Sequence, residues 1–182
     1  MSTRKSTRKT APRSRRDAIS LLKADHRQVA SWFSSFEKTR SEMRKQQLAS
    51  RICSALKVHT RIEEEIFYPA FLEQAQDEDM HHEAVVEHDG AKKLIAEIEG
   101  ASPTDEYYDA KVTVLSEMIK HHVKEEEQPG GMFAKARKSD MDLAELGRRL
   151  AARKKQLMNS SGSSAPRRSG AQHGIGRAEG RV

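Results

Sequence analysis

The sequence predicts an all-α protein: an antiparallel up-down-up-down four-helix bundle with a short fifth helix and disordered basic tails. Three observations predict it. Apolar residues recur at alternating steps of three and four in four long stretches, the spacing by which one face of a helix meets a core. No stretch shows the strict alternation of a half-buried strand. Each of the four stretches also carries a histidine in the middle of its apolar stripe, where a core residue would otherwise stand.

The chain opens on a basic arm. Residues 1–16 contain Arg4, Lys5, Arg8, Lys9, Arg13, Arg15 and Arg16, no acid and almost no apolar side chain, a composition that cannot offset the entropy of ordering. A disordered arm is expected there, either a solvated tail or an electrostatic contact for nucleic acid or an anionic surface. Asp17 then offers an N-cap, since its carboxylate can accept from the free N–H groups of an opening turn. Ile19, Leu22, His26, Val29, Phe33 and Phe36 form the first stripe. A second helix is expected from about Ser41 to Leu72, with Ile52, Leu56, His59, Glu63, Ile66 and Ala70 inward. Pro69 lies near its end, where the missing backbone donor kinks or stops a helix.

A third helix is expected from near Asp79 to Gly100, through His81, Val85, His88, Ala91, Ile95 and Ile98. Ser102-Pro103-Thr104-Asp105 breaks the chain and signals a fourth, with Val112, Leu115, Ile119, His122 and Glu126 on its apolar face. The register chooses between two overlapping pairs there. His122 and Glu126 continue the steps from Leu115 and Ile119, whereas His121 and Glu125 fall about 100° round the helix. Gln128-Pro129-Gly130-Gly131 ends this helix, and Met132 and Phe133 are expected to cover one end of the bundle. Asp140 or Asp142 can open the fifth helix through Leu143, Leu146, Leu150 and Leu157. From Asn159 to residue 182, Ser, Gly, Pro and Arg dominate without periodicity, which reads as a second flexible tail.

At 182 residues and 20.5 kDa the chain suits one domain, residues 17–158, between a basic arm at 1–16 and a tail at 159–182. The formal charge of +6 is concentrated in the two ends, and the helical part is mildly acidic. One third of the residues are charged and mean hydropathy is −0.81, with no apolar run near the roughly 18–20 residues that span a membrane. The start, Met-Ser-Thr-Arg-Lys, lacks the apolar segment of a secretory signal. A lone cysteine, Cys53, excludes an internal disulfide and fits a reducing cytoplasm; beside Ile52 it reads as a packing residue. No phosphate-binding glycine loop or cysteine-rich zinc spacing is present.

The chemistry lies in the histidines. His59 and Glu63, and again His122 and Glu126, stand four residues apart on one helical face, and that face is the apolar one. Burying imidazoles and carboxylates without partners costs about 1–3 kcal/mol per unpaired group and more for a charge. In a four-helix bundle His26, His59, His88 and His122 can converge at one depth, with Glu63 and Glu126 reaching between two cations. Imidazole with bridging carboxylate suits iron best, with manganese or zinc open. The remaining acids, Glu64, Glu65, Glu125 and Glu127, read as solvated faces, Glu64 having the option of an outer contact. His82 and His121 read as peripheral, and Trp32, Phe33 and Phe36 as core.

These residues resemble a known family. His26 in Ala-Asp-His, His59-Thr-Arg-Ile-Glu63-Glu followed by Phe67-Tyr-Pro69, Glu87-His88, and His121-His122-Val-Lys-Glu-Glu126 are similar to the hemerythrin-like, or HHE cation-binding, domain. The resemblance covers about Asp17 to Phe133. It implies two non-haem iron ions, His26 and His59 serving one, His88 and His122 the other, with Glu63 and Glu126 as bridges. It implies as ligand a small diatomic molecule or peroxide: a protein that binds or senses oxygen, nitric oxide or iron, or an enzyme decomposing peroxide, or a regulator whose basic arms touch DNA. Two departures from the oxygen carriers stand out. They have a further histidine one turn before the His88 position, where this chain has Ala84, and an Asp five residues after the fourth-helix histidine, where this chain has a Glu four on. The first leaves a coordination position open to water, peroxide or nitric oxide, or to His81.

Overall fold

Seven α-helices and one π-helical turn make up the computed structural model, which describes residues 17–162. They are α1 (Ala18–Lys38), α2 (Glu42–Ile62), the π turn (Glu63–Phe67), α3 (Tyr68–Ala75), α4 (Glu78–Glu99), α5 (Tyr108–Glu127), α6 (Met132–Lys138) and α7 (Leu143–Gly162). No strand occurs among the described residues. The basic arm 1–16 and residues 163–182 lie outside them. None of the described helices is long and apolar enough to cross a membrane.

Local chemistry sets the helix starts. Asp17 caps α1 by accepting from the Ser20 N–H at 2.7 Å. Ser41 caps α2 and Asp77 caps α4 in the same way. At α7 the choice between two acids falls to Asp142, whose Oδ1 accepts from the Glu145 N–H at 2.9 Å. The fourth bundle helix starts later than Pro103 suggests. Asp105 accepts from the Ser102 N–H at 2.8 Å and closes a turn, so α5 begins at Tyr108.

Short connections between α1, α2, α4 and α5 make neighbours antiparallel, and each packs on the next around a ring, α1 on α2, α2 on α4, α4 on α5, and α5 on α1. The core has two parts. One end is built from Ile19, Leu22, Ile62, Phe67, Phe71, Met132 and Phe133. The other holds Phe33, Phe36, Ile52, Leu56, Ile95, Ile98 and Leu115. Each such side chain removed from water contributes about 1.5–3 kcal/mol. Between the two lies a polar layer: His26 sits between Leu22 and Val29 along α1, and His88 between Ala84 and Ala91 along α4.

The second helix departs from its predicted course. Rather than running unbroken to Leu72, it widens into the π turn, where the Tyr68 N–H donates to the Glu63 carbonyl five residues back. One extra residue in the turn re-phases the chain. Phe67 and Phe71 are therefore buried where Ile66 and Ala70 were expected, and those two are only partly covered. Pro69 does not end the helical run, because it falls in the first turn of α3, where a missing donor is tolerated. The left-handed Gln76 (φ 52°) closes α3.

After α5, Gly130 adopts φ +84°, a conformation in which a side chain would be strained. At Gly131 an added Cβ would lie 2.1 Å from the Glu125 carbonyl oxygen, an impossible approach. This turn folds α6 back so that Phe133 stacks on His26, ring centroids 5.8 Å apart and planes 9° from parallel. The fifth helix, α7, runs past residue 158 to Gly162 and is as long as the bundle helices, since Ala151, Ala152, Arg153, Lys154 and Lys155 favour continuation. It packs on α1 and α2 through fully buried Leu150 and nearly buried Leu146, and Arg153 grips Glu65 with two donors at 2.6 and 3.0 Å.

Candidate metal centre

All six residues singled out in the sequence lie in the polar layer and are buried: His26, His59, Glu63, His88, His122 and Glu126. His26 and His59 face each other with their Nε2 atoms 2.9 Å apart, and His88 and His122 do the same at 3.2 Å. Glu63 stands between the two pairs, Oε2 being 3.2 Å from His59 Nε2 and 3.5 Å from His88 Nε2. Glu126 spans them from the opposite side, with Oε2 3.4 Å from His26 Nε2 and Oε1 3.7 Å from His122 Nε2. Donor atoms of His26, His59 and Glu63 form one group within 4.8 Å of one another, and those of Glu63, His88 and His122 form a second, sharing the carboxylate.

The outward nitrogens meet carboxylates, each from a neighbouring helix. His26 Nδ1 lies 2.8 Å from Glu127, His88 Nδ1 3.0 Å from Glu64, His122 Nδ1 2.7 Å from Glu87, and His59 Nδ1 a longer 3.6 Å from Asp25. An ionised carboxylate only accepts, so at His26, His88 and His122 Nδ1 carries the proton and Nε2 turns its lone pair inward, whereas the buried His59 Nδ1 makes no hydrogen bond. Two lone pairs cannot face each other at about 3 Å without a proton or a cation between them. The spacing also suits an ion: two nitrogens at right angles, each about 2.1 Å from a metal, lie about 3.0 Å apart. Neither oxygen of Glu63, nor Oε2 of Glu126, finds a hydrogen bond of good geometry, although both side chains are buried. The residues fit two cations.

Residues 17–134 match the hemerythrin HHE cation-binding domain family, more than half of the chain. The protein belongs to that family. Its fold is similar to the crystal structure of a hemerythrin HHE cation-binding domain-containing protein from Mycobacterium kansasii, at 24% identity and TM-score 0.66, over 80% of this chain and 89% of that one. No curated protein matches the sequence. The HHE match ends before α7, which packs against the domain from outside the matched residues.

Within this HHE domain the cation-free electrostatics are unequal. Burial pushes the His26 imidazole down to about 4, helped by the nearby His59 charge. Burial acts the same way on His59 and His122, yet Glu63 beside the first and Glu126 beside the second outweigh it and hold them up to about 10 and about 9. Glu126 is pushed well up, by burial first and then by the Glu63 charge. Glu63 goes the other way, because the cationic His59 overcomes its burial. Protons thus occupy part of the space that cations would.

The structure corrects several sequence-based assignments. Glu127 is no solvated face: it accepts from His26 and pairs with Lys23 at 3.0 Å. Glu64 makes the outer contact allowed for it, while Asp25 and Glu87 were not foreseen. A usable signal existed, since each outer acid directly adjoins an inward residue, as in Asp25-His26, Glu63-Glu64, Glu87-His88 and Glu126-Glu127. Tyr68 was missed for another reason. The π turn brings its hydroxyl to 3.2 Å from His88 Nε2 and 3.4 Å from Glu126 Oε1, a position no α-helical register gives it. His81 stands behind Tyr68, edge-on at 5.7 Å between centroids, and contributes to neither donor group. Ala84 lines a cavity of about 80 Å³ with His122, Glu126, Glu87 and Met132.

Proposed function

We propose that the protein is a non-haem di-iron protein that binds or senses a small molecule, dioxygen, nitric oxide or peroxide, beside His88 and His122. The observation that carries this reading is the pair of facing Nε2 atoms at 2.9 and 3.2 Å with one shared carboxylate. Nitrogen and oxygen donors without thiolate suit iron, with manganese or zinc as the other ions such a donor set takes. His26, His59, His88 and His122 would supply neutral nitrogens, and Glu63 and Glu126 would offset the charge of two ions in a medium of low dielectric. Bound iron supplies redox chemistry and an exchangeable position. Ala84 leaves space for a ligand next to Glu126, and Tyr68 places its hydroxyl beside His88 and Glu126.

A second reading, peroxide decomposition, is favoured by protons held at the site. Burial and the nearby carboxylates push the Tyr68 hydroxyl well above its ordinary range, so it keeps its proton and can donate to an oxygen atom of a bound ligand. The first experiment is metal analysis with a visible spectrum in air. About two irons per chain with ferric absorption bands that change on adding nitric oxide supports the binding reading. Peroxide consumption well above that of free iron, and reduced in Tyr68→Phe, supports the second. Failure to retain iron after anaerobic reconstitution overturns both.

A further inference from the structure

Beyond its imidazole, each outer carboxylate meets a cationic or basic group. Asp25 meets Lys154, Glu64 meets Lys92 at 2.7 Å, and Glu127 meets Lys23 at 3.0 Å. The fourth corner differs. Glu87 faces His121, whose Nε2 lies 3.4 Å from Glu87 Oε1 and 3.1 Å from Glu125 Oε1. A lysine ammonium occupies a carboxylate and repels a metal ion, whereas a neutral imidazole is itself a metal ligand. Glu87, His121 and Glu125 bring three donor atoms within 4.8 Å of one another, and the His121 side chain is 62% exposed. Of the four corners, this is the one whose outer partner is an imidazole rather than a lysine ammonium.

The corner also communicates with the interior. The cavity of about 80 Å³ beside Ala84 is lined by exposed Glu83 and half-buried Glu87 and Glu125 together with buried His122 and Glu126, so two of the three corner residues share it with two of the buried ligands. Glu126 is 2% exposed, and its Oε2 has no hydrogen-bond partner. Glu87 joins the two groups, since its other oxygen holds His122 Nδ1 at 2.7 Å. A cation resting on Glu87, His121 and Glu125 would thus stand one side chain away from a buried ligand pair, with negative charge along the way.

We propose that Glu87, His121 and Glu125 form a third, solvent-facing divalent-cation site, through which metal is delivered to the buried centre. The delivery role rests on the di-iron reading above; the surface site does not. Three oxygen and nitrogen donors without thiolate suit ferrous, manganous, cobaltous or zinc ions, and exposure makes binding weak and exchange fast.

The experiment compares the full-length protein with His121→Ala, which removes an exposed side chain and leaves the buried six untouched. Cobalt(II) is titrated anaerobically and read by visible absorption and equilibrium dialysis, and ferrous loading is followed by stopped flow. The expected result is one additional weak ion in the wild type that is lost in the variant. Final occupancy of the buried pair should be unchanged and loading about tenfold slower. Equal ion counts and equal rates in the two proteins overturn the proposal. If neither protein holds a buried pair, the di-iron reading and the delivery role fall together, and the His121-dependent ion still decides whether the surface site exists.

Discussion

Replacing Glu63 by glutamine should separate what holds the fold from what holds the metal. Glu63 is fully buried, and two unpaired buried oxygens cost the metal-free fold about 1–3 kcal/mol each. The ion pair with His59, 3.2 Å away, returns part of that. Glutamine removes the charge but keeps shape and one acceptor. His59 then loses its largest support but keeps Asp25 and Glu126, and Glu126, relieved of the Glu63 charge that helps to hold it protonated, can take over as the counter-charge, so no uncompensated charge stays inside. Metal-free stability measured by urea unfolding should therefore change by less than about 1 kcal/mol. With metal the balance inverts. A carboxamide bridges two cations poorly, and competition with a chelator should show affinity lower by about a hundredfold, close to 2.8 kcal/mol. A metal-free loss of about 3–5 kcal/mol, typical of a buried ion pair broken by removing one partner, would refute this account of the layer. So would an unchanged affinity.

Three further outcomes follow from the same geometry. Glu127→Ala should free His26 to rotate and lower metal affinity about 10–100-fold with the fold intact; circular dichroism and a chelator titration check both halves. Metal affinity should rise with pH between 6 and 8, because His59 and His122 are held protonated up to about 10 and about 9 and Glu126 is raised too, and all must release protons to bind. The metal-free protein should show the opposite trend. Groups with raised values favour the fold most below their unfolded values near 4.5 and 6.5, and lose that contribution as pH climbs through the raised ones; an affinity independent of pH would contradict the assigned protonation. Leu150→Ala, at a fully buried position of α7, should cost about 2–5 kcal/mol in urea unfolding, unless α7 is dispensable to the bundle.

Periodicity made the inward set readable because it is a local property. His122 was separable from His121 by one step of helical phase, and the structure buries the first and exposes the second. Asp17, Asp77 and Asp142 act within three residues of themselves, so caps are equally local, although the sequence marks only Asp17 outright and leaves Asp142 as one of two choices with Asp140. What stayed hidden is non-local or breaks the period. The contacts from Glu64, Glu87, Glu127 and Asp25 cross between helices, so adjacency to an inward residue marks the acids but no spacing within one helix tells which imidazole each one meets. The π turn adds a residue without any glycine to mark it, so the stripe through Ile66 and Ala70 was read one residue out of phase, and Tyr68 was passed over.

The four outer acids also form a closed cycle. Asp25 of α1 faces His59 of α2, Glu64 faces His88 of α4, Glu87 faces His122 of α5, and Glu127 of α5 returns to His26 of α1. Each helix is thus tied to two neighbours, α2 through the π turn that carries Glu64, and the Asp25–His59 tie at 3.6 Å is an ion pair without a hydrogen bond. None can roll about its long axis without loosening two joints, and the torque passes round the hoop to the other three. A substitution at one joint therefore alters the tie between two helices and not only the acid that is replaced.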